Sequence, residues 1–215
     1  MIPKDTPNTP ITTPVIKDIS VLLLYHMNNE RLKTIGKWKE KMMKIEKGCL
    51  NDINELECLY NDLNDYLDTH INFPGWKKGV YPVKETALEG IKEGDLFVIK
   101  SDKHIVGSLI LRHEPEPAYS SADWKIELDY KDIFVVYTFA VHPLYLKQGV
   151  GKALMDFVIQ YSKDMNIKAV RLDVYEKNIP AICLYKKYGF QYIDTVDLGY
   201  SEYGLDKFEL YQRLL

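Results

Sequence analysis

The chain has 215 residues, of which 46% are hydrophobic and 27% charged, as is usual for a soluble globular protein with one large core. A formal net charge of -3 gives no reason to expect a nucleic-acid partner, which normally requires a concentrated basic face. Cys49, Cys58 and Cys183 are odd in number and lack C-x-x-C spacing, so the sequence predicts neither a disulfide framework nor a metal site. The expected location is a reducing cytoplasm.

The first 41 residues differ in composition from the rest. Residues 1–15 hold four prolines among threonines, which keeps such a segment extended or disordered. The following residues carry apolar side chains at helical spacing, and we expect an amphipathic helix that packs on the domain or on a second subunit of a homodimer. Packing on protein is favoured over a membrane-surface role for the basic residues of this segment. We therefore divide the chain into an N-terminal extension, 1–41, and a folded domain, 42–215. The apolar run 21–25 is far too short to span a membrane.

Hydrophobic periodicity predicts the elements of the domain in chain order. We expect strands at 43–48, 96–99, 105–111, 135–141, 168–175, 190–196 and 207–214, with a brief edge strand at 124–128. We expect helices after an N-cap at Asn51, and at 86–91, 150–165 and 179–188. Three loops rich in proline, glycine or tyrosine lie between them, at 70–82, 113–121 and 197–204. The first loop either lines a ligand site or caps the core with Trp76 and Tyr81.

The stretch 135–151, VVYTFAVHPLYLKQGVG, predicts a strand, a glycine turn and the start of a helix. Its β-branched and aromatic residues suit a buried strand, and Pro143 should end that strand. Gly149 and Gly151 leave the backbone bare where the helix begins, and the unpaired amides there carry partial positive charge. Glycines at such a turn have one of two roles: they only allow a tight backbone conformation, or they also let the backbone bind a phosphate.

A second motif makes the pattern specific. Residues 178–190, NIPAICLYKKYGF, match N-x-x-A-x-x-L-Y-x-x-x-G-F in full, and the glycine turn matches Q/R-x-x-G-x-G/A except that Leu146 replaces the Gln or Arg. Together they resemble the GNAT superfamily of N-acetyltransferases over about residues 43–215. The resemblance implies an α/β (α+β) fold, with a mixed, mainly antiparallel sheet flanked by helices. Its two central strands should separate near Ala140 and Val174.

The resemblance also implies acetyl-CoA as the cofactor, bound in the gap between those strands. The backbone of residues 139–141 would hydrogen-bond the amide-rich pantetheine arm, which would lie beside the strand like a further strand. The backbone amides of residues 147–152, at the start of the following helix, would hold the pyrophosphate. Asn178 would also act as the N-cap of the next helix, and both roles can hold together. The implied cofactor-binding residues are Phe139, Ala140, Val141, Lys147, Gln148, Gly149, Val150, Gly151, Lys152, Asn178 and Tyr185.

Two residues are candidates for the chemistry. By spacing alone Tyr185 is a core residue, as it follows Ala181 at i+4; the resemblance instead implies that it protonates the departing thiolate. Asp173 stands twelve residues before Tyr185, where related peptide and protein N-terminal acetyltransferases carry a carboxylate used as general base, directly or through water. The other interpretation of Asp173 is an ion pair with a neighbour on the sheet.

We therefore expect an N-acetyltransferase that moves the acetyl group of acetyl-CoA to a primary amine by direct attack. The alternative is a non-catalytic acyl-CoA-binding regulatory module. The acceptor should be a small-molecule or peptide amine, whose identity the loops do not encode. Candidate residues of the acceptor pocket are Trp76, Tyr81 and Tyr137, followed by His70, Tyr200 and Tyr203.

Overall fold

One seven-stranded sheet organises residues 43–215, the part of the chain that the computed structural model describes. The predictions for the N-terminal extension lie outside these residues. The strands are β1 (Lys44–Lys47), β2 (Leu96–Ser101), β3 (His104–Arg112), β4 (Ile133–Val141), β5 (Ala169–Tyr175), β6 (Gln191–Val196) and β7 (Phe208–Leu214). Their order is β1-β2-β3-β4-β5-β7-β6, and β4 and β5 form the one parallel pair among them. The predicted mixed, mainly antiparallel sheet is confirmed.

Helices cover both faces of this sheet. They are α1 (Ile53–Thr69), α2 (Lys84–Glu93), α3 (Val150–Asp164) and α4 (Ile179–Lys187). The apolar stripe of α1 packs with α2 on one face, and α3 packs with α4 on the other. This arrangement buries an apolar cluster on each side, as expected for helices with one apolar face. No helix between residues 43 and 215 is long and apolar enough to cross a membrane.

Two local predictions are wrong. Asn51 is not an N-cap: Leu50–Asp52 forms a 3-10 turn, and α1 begins at Ile53. Residues 124–128 form no strand. There the indole Nε1 of Trp124 donates to the carbonyl of Tyr119 at 2.9 Å, and the indole ring lies 4.0 Å from the guanidinium of Arg171. The side chain of Trp124 thus holds the segment in place through contacts with Tyr119 and Arg171, and not through hydrogen bonds between strands.

The central strands β4 and β5 separate partway along their length. Their pairing runs from Ile133 with Ala169 to Val136 with Leu172, and no ladder joins them beyond that point in the described structure. The separation therefore begins earlier than predicted. It opens a gap at the carboxyl ends of two parallel strands, a common position for ligand sites in open sheets.

A β-bulge in β4 decides which side chains border the gap. The register against β3 shifts there, and Thr138 has a φ of 46°. As a result Tyr137 stays on the face that carries α1, whereas Phe139 and Val141 pack on the face that carries α3. A left-handed conformation costs a residue such as threonine about 1–2 kcal/mol. The hydroxyls of Thr138 and Tyr81 form a 2.5 Å hydrogen bond, which helps to offset that cost.

Candidate active site

Asp173 and Tyr185 approach the gap from its two faces. Asp173 is the first residue of β5 beyond its pairing with β4. Its neighbours Leu172 and Val174 point to the α3 face, so the side chain of Asp173 points to the opposite face. Tyr185 lies on α4 and packs edge to face against Phe139, with ring centroids 6.4 Å apart. Burial, and then the negative charge of Asp173, raise the pKa of Tyr185. The charge of the carboxylate therefore acts on the phenol across the gap.

The carboxylate of Asp173 sits in an environment that favours its protonated form. Burial raises its pKa to about 6, while a 2.8 Å hydrogen bond donated by the hydroxyl of Tyr119 to Oδ2 acts in the opposite direction. The ion pair that the sequence left open for Asp173 is not formed within residues 43–215. Arg171, on the same face of β5, instead stacks on Trp124 and donates to the side chain of Gln212.

The hydroxyl of Tyr185 lacks a hydrogen-bond partner among the described residues, although the side chain is only 6% exposed. Its oxygen is not one of the fully enclosed polar atoms without a partner in residues 43–215, so it meets the open space of the gap. A hydroxyl of this kind therefore fits a ligand that reaches it through the gap. Because burial raises its pKa, the phenol keeps its proton at neutral pH.

The N-terminus of α3 offers a set of open backbone donors. Gly149 precedes the helix with a φ of 89°, a conformation that glycine adopts without a side-chain clash. The amides of Gly149, Val150 and Gly151 find no acceptor within the described chain. Together with the positive end of the helix dipole, these three amides suit a phosphate group.

The polar side chains beside this turn already have partners. Nε2 of Gln148 donates to the carbonyl of Leu144 at 2.6 Å, and Nζ of Lys152 lies 2.7 Å from a carboxylate one helical turn along. Lys147 has an exposed side chain and a φ of 59°. Backbone amides would thus be the main donors to a phosphate, which suits a turn with Leu146 where the family motif has Gln or Arg.

The remaining predicted cofactor residues lie around the same gap. Asn178 accepts a 3.4 Å hydrogen bond from the amide of Ala181, so its predicted role as the N-cap of α4 is confirmed. A Cβ placed on Gly151 would lie 3.8 Å from Phe139, so the turn and β4 are in direct proximity. Ala140 is 1% exposed on the α1 face, which leaves only its backbone for a ligand.

The charge of Asp173 acts on five tyrosine rings. Burial is the largest cause of a raised pKa in each ring, and the charge of Asp173 adds to it. The five tyrosines concerned are Tyr81, Tyr119, Tyr137, Tyr185 and Tyr200. Three of them, Tyr81, Tyr137 and Tyr200, are residues predicted for the acceptor pocket, and the charge of Asp173 reaches each of them.

Trp76 and His70, also predicted for the acceptor pocket, each pack against a neighbouring ring. Trp76 joins the apolar cluster under α1 and meets Tyr81 edge to face, with ring centroids 5.5 Å apart. His70 stacks on Tyr66 at a centroid distance of 3.9 Å. Of the two roles that the sequence left open for this loop, Trp76 takes the core-capping one.

The loop after β3 supplies two residues that the sequence analysis did not single out. Tyr119 is 1% exposed on a short 3-10 helix, Pro117–Ser121, and Glu116 immediately precedes that helix. The flanking prolines mark this loop as conformationally restricted, which was the one signal available from the sequence. Nothing in the spacing pointed to Asp173 as the partner of Tyr119.

The sequence pattern of the acetyltransferase (GNAT) family matches residues 56–190. That match covers more than half of the chain, and the fold carries the separated central strands and the glycine turn described above. The chain therefore belongs to the GNAT acetyltransferase family.

Two relatives match over part of their length. An uncharacterized N-acetyltransferase of Methanocaldococcus jannaschii is 26% identical over 140 residues, which are 63% of this chain and 59% of that protein. The mycothiol acetyltransferase of Propionibacterium freudenreichii is 33% identical over 66 residues, 31% of this chain and 21% of that protein. The chain thus spans less than two thirds of the length of either relative.

Solved structures share the fold at low sequence identity. A GNAT-family acetyltransferase of Streptococcus agalactiae superposes with a TM-score of 0.67 at 18% identity, over 80% of this chain and 95% of that one. The ribosomal-protein-S18-alanine N-acetyltransferase of Escherichia coli gives a TM-score of 0.59 at 18% identity, over 80% and 94%. Both likenesses are evidence for the fold.

Proposed function

We propose that this chain is an N-acetyltransferase that transfers the acetyl group of acetyl-CoA to a primary amine. The observation that carries this proposal is the pair formed by Asp173 and Tyr185. A carboxylate with a raised pKa and a phenol whose hydroxyl has no hydrogen-bond partner within residues 43–215 face one gap from opposite sides. These are the general base and general acid that aminolysis of a thioester requires.

The residues around the gap suit acetyl-CoA. The amides of 149–151 would hold the pyrophosphate, and the backbone of 139–141 would bind the amides of the pantetheine arm. Asn178 and Tyr185 would lie near the reactive end, Asn178 as the N-cap of α4 and Tyr185 in its last turn. These contacts would direct the sulfur towards the unpaired hydroxyl of Tyr185.

When bound, acetyl-CoA supplies an activated acyl group, whose carbonyl carbon is attacked by the amine nitrogen and whose carbon–sulfur bond then breaks. Asp173, ionised above a pH of about 6, takes the proton that the nitrogen must lose, directly or through a water molecule. Tyr185 gives its proton to the leaving sulfur. Neither residue forms a covalent bond to the acyl group.

The proposal is tested by following thiol release from acetyl-CoA with a panel of primary amines, and by intact-protein mass spectrometry without an amine. We expect amine-dependent thiol release and no acetylated protein in the absence of an acceptor. An acetylated protein that transfers its acetyl group to the amine would contradict direct attack. Binding of acetyl-CoA without turnover of any amine would contradict catalysis and favour the regulatory module.

A further inference from the structure

Arg171 carries a buried positive charge that has no counter-ion in the described part of the chain. The residue is 5% exposed and lies in the paired part of β5, opposite Val135 of β4. Within residues 43–215 its guanidinium forms no ion pair with a carboxylate, and burial lowers its pKa. A buried charge without a partner is costly, because the protein replaces little of its lost hydration. Such a guanidinium therefore favours an anionic ligand.

Two side chains fix the orientation of this guanidinium. Its Nε donates a 2.9 Å hydrogen bond to Oε1 of Gln212, and its central carbon lies 4.0 Å from the centre of the Trp124 ring. Nε2 of Gln212 in turn donates to the carbonyl of Trp124 at 3.1 Å. The two terminal nitrogens of the guanidinium have no acceptor within residues 43–215. Neither is one of the fully enclosed polar atoms without a partner there, so both meet open space.

An open cavity of about 470 Å³ adjoins the guanidinium. Its lining consists of Arg171 and the loop segment 122–128, and half of the lining side chains are apolar. Lys125, the other cation of this lining, donates to the carboxylate of Asp123. Arg171 is therefore the cation of this cavity that is left without a carboxylate partner among the described residues.

The donor set of the cavity suits a carboxylate. The two terminal nitrogens of one guanidinium match the two oxygens of a carboxylate in a bidentate pair. A phosphate dianion would bring a second negative charge, whereas the second cation of the lining is already paired and the exposed Glu127 adds a negative charge. The apolar half of the lining suits a hydrocarbon chain attached to the carboxylate.

We propose that the cavity at Arg171 is a binding site for a carboxylate that is attached to an apolar chain. The site lies beside the candidate active site, because Arg171 and Asp173 share one face of β5 and are about 7 Å apart along the strand. Tyr119 connects the two places: its ring packs on Trp124 at a centroid distance of 5.2 Å, and its hydroxyl donates to Asp173. The carboxylate belongs either to the far end of the acceptor or to a separate molecule.

Hexanoate and its neutral counterpart, hexanamide, are the probes for this site. A proton–nitrogen correlation spectrum follows the indole N–H of Trp124, which is assigned as the signal missing in Trp124→Phe. In the native protein we expect a saturable shift with hexanoate, with a Kd on the order of 1 mM, and binding of hexanamide that is weaker by about 10-fold or more. Inorganic phosphate should bind more weakly than hexanoate, and tighter binding of phosphate would overturn the carboxylate as the ligand class.

Arg171→Lys and Arg171→Met are the test variants. Lysine keeps the charge but loses the planar pair of donors, and methionine keeps an unbranched side chain without a charge. Each should weaken the binding of hexanoate by about 10-fold or more. The matched control is Lys125→Gln, which removes the paired cation of the same cavity and should change the affinity less than about 2-fold. Far-UV circular dichroism verifies folding, and an unchanged affinity in either folded Arg171 variant would overturn the site.

A pair of acceptors separates the two sources of the carboxylate. The pair is 6-aminohexanoate and 6-aminohexanamide, whose chain is long enough to reach from Asp173 to Arg171. A kcat/KM ratio of about 10 or more in favour of 6-aminohexanoate, lost in Arg171→Lys, assigns the carboxylate to the acceptor. Absence of this preference, with hexanoate bound at Arg171, assigns it to a separate molecule.

The outcomes are separable from those of the proposed function, because the hexanoate titration needs no turnover. A protein that binds hexanoate through Arg171 but acetylates no amine keeps the carboxylate site and loses the proposed function. Equal binding of hexanoate and hexanamide by the native protein, or binding of neither, overturns the carboxylate site and leaves the acetyltransferase in place.

Discussion

The hydroxyl of Tyr119 donates a 2.8 Å hydrogen bond to Oδ2 of Asp173, which joins two residues 54 positions apart in the chain. Tyr119 is 1% exposed, and its carbonyl accepts the indole N–H of Trp124, so the phenol is held in place. A hydrogen bond to an ionised carboxylate stabilises that form, whereas burial disfavours it. Tyr119 is thereby a positioning residue for the proposed base and sets part of its pKa.

Replacing Tyr119 by phenylalanine should move the acidic limb of the pH–rate profile. Since Asp173 acts as a base only when ionised, kcat/KM should fall as the pH drops through its pKa, about 6 in the native protein. Loss of the hydrogen bond should raise that midpoint by about 0.5–1 pH unit. The control is Tyr130→Phe, which alters a 57% exposed ring. A pH–rate profile unchanged by Tyr119→Phe would exclude Tyr119 as a positioning residue for Asp173.

Asp173→Asn should lower turnover and change how stability depends on pH. The folded-state pKa of about 6 lies above the ordinary 3.8, so the native protein binds more protons than the unfolded chain between these values. Its stability therefore falls as the pH rises through that window. Asparagine cannot ionise and still accepts a hydrogen bond from Tyr119. We expect Asp173→Asn to be about 1–3 kcal/mol more stable than the native protein at pH 8.

Urea unfolding of Asp173→Asn and the native protein at pH 4 and pH 8 measures this effect. The stability difference between them should shrink towards pH 4, where Asp173 is protonated. A difference of the same size at both pH values would show that packing, and not ionisation of Asp173, is its cause.

The parts of the site that depend on local backbone geometry were predictable from the sequence. The glycine turn at 149–151 and the cap at Asn178 follow from conformations and hydrogen bonds within a few residues. Tyr185 and Asp173 could be named as candidates only through the motif that they share with a family. Spacing alone left each of them with a second interpretation.

The parts that depend on contacts between distant segments were not predictable. Tyr119 meets Asp173 because the loop after β3 folds back over the sheet, and no periodic pattern encodes that path. The β-branched and aromatic run of β4 is typical of a regular strand. The sequence therefore did not predict the bulge at Thr138, or that the side chains after it lie on the opposite face from the one expected by alternation. The strand predicted at 124–128 failed for the same reason, since tertiary contacts of Trp124 override its strand-like composition.

Tyr185→Phe should lower kcat by about 10²-fold or more, because general acid catalysis contributes about that much. The affinity for acetyl-CoA should stay nearly unchanged, as the ring and its packing against Phe139 are retained. Steady-state thiol release and calorimetric titration measure the two quantities. Tyr192→Phe, a 52% exposed ring on β6, serves as the control. Unchanged turnover in Tyr185→Phe would exclude this phenol as the acid.

The two glycines of the turn should respond differently to alanine. Gly149 has a φ of 89°, so Gly149→Ala should cost about 1–2 kcal/mol of unfolding free energy. At Gly151, inside α3, a Cβ would meet its neighbours at 3.8–4.0 Å, an ordinary contact distance. Gly151→Ala should therefore be neutral or gain about 0.5–1 kcal/mol from helix propensity. Urea unfolding distinguishes them, and equal costs would contradict the assigned backbone geometry.

Calorimetric titration of acetyl-CoA into the native protein and into Gly149→Ala tests the central claim most directly. We expect one site with a Kd on the order of micromolar, weakened about 10-fold in Gly149→Ala because the amides at the start of α3 are displaced. Far-UV circular dichroism on the same samples verifies that the variant is folded. Absence of binding to the native protein would contradict the assignment of the gap between β4 and β5 as an acetyl-CoA site.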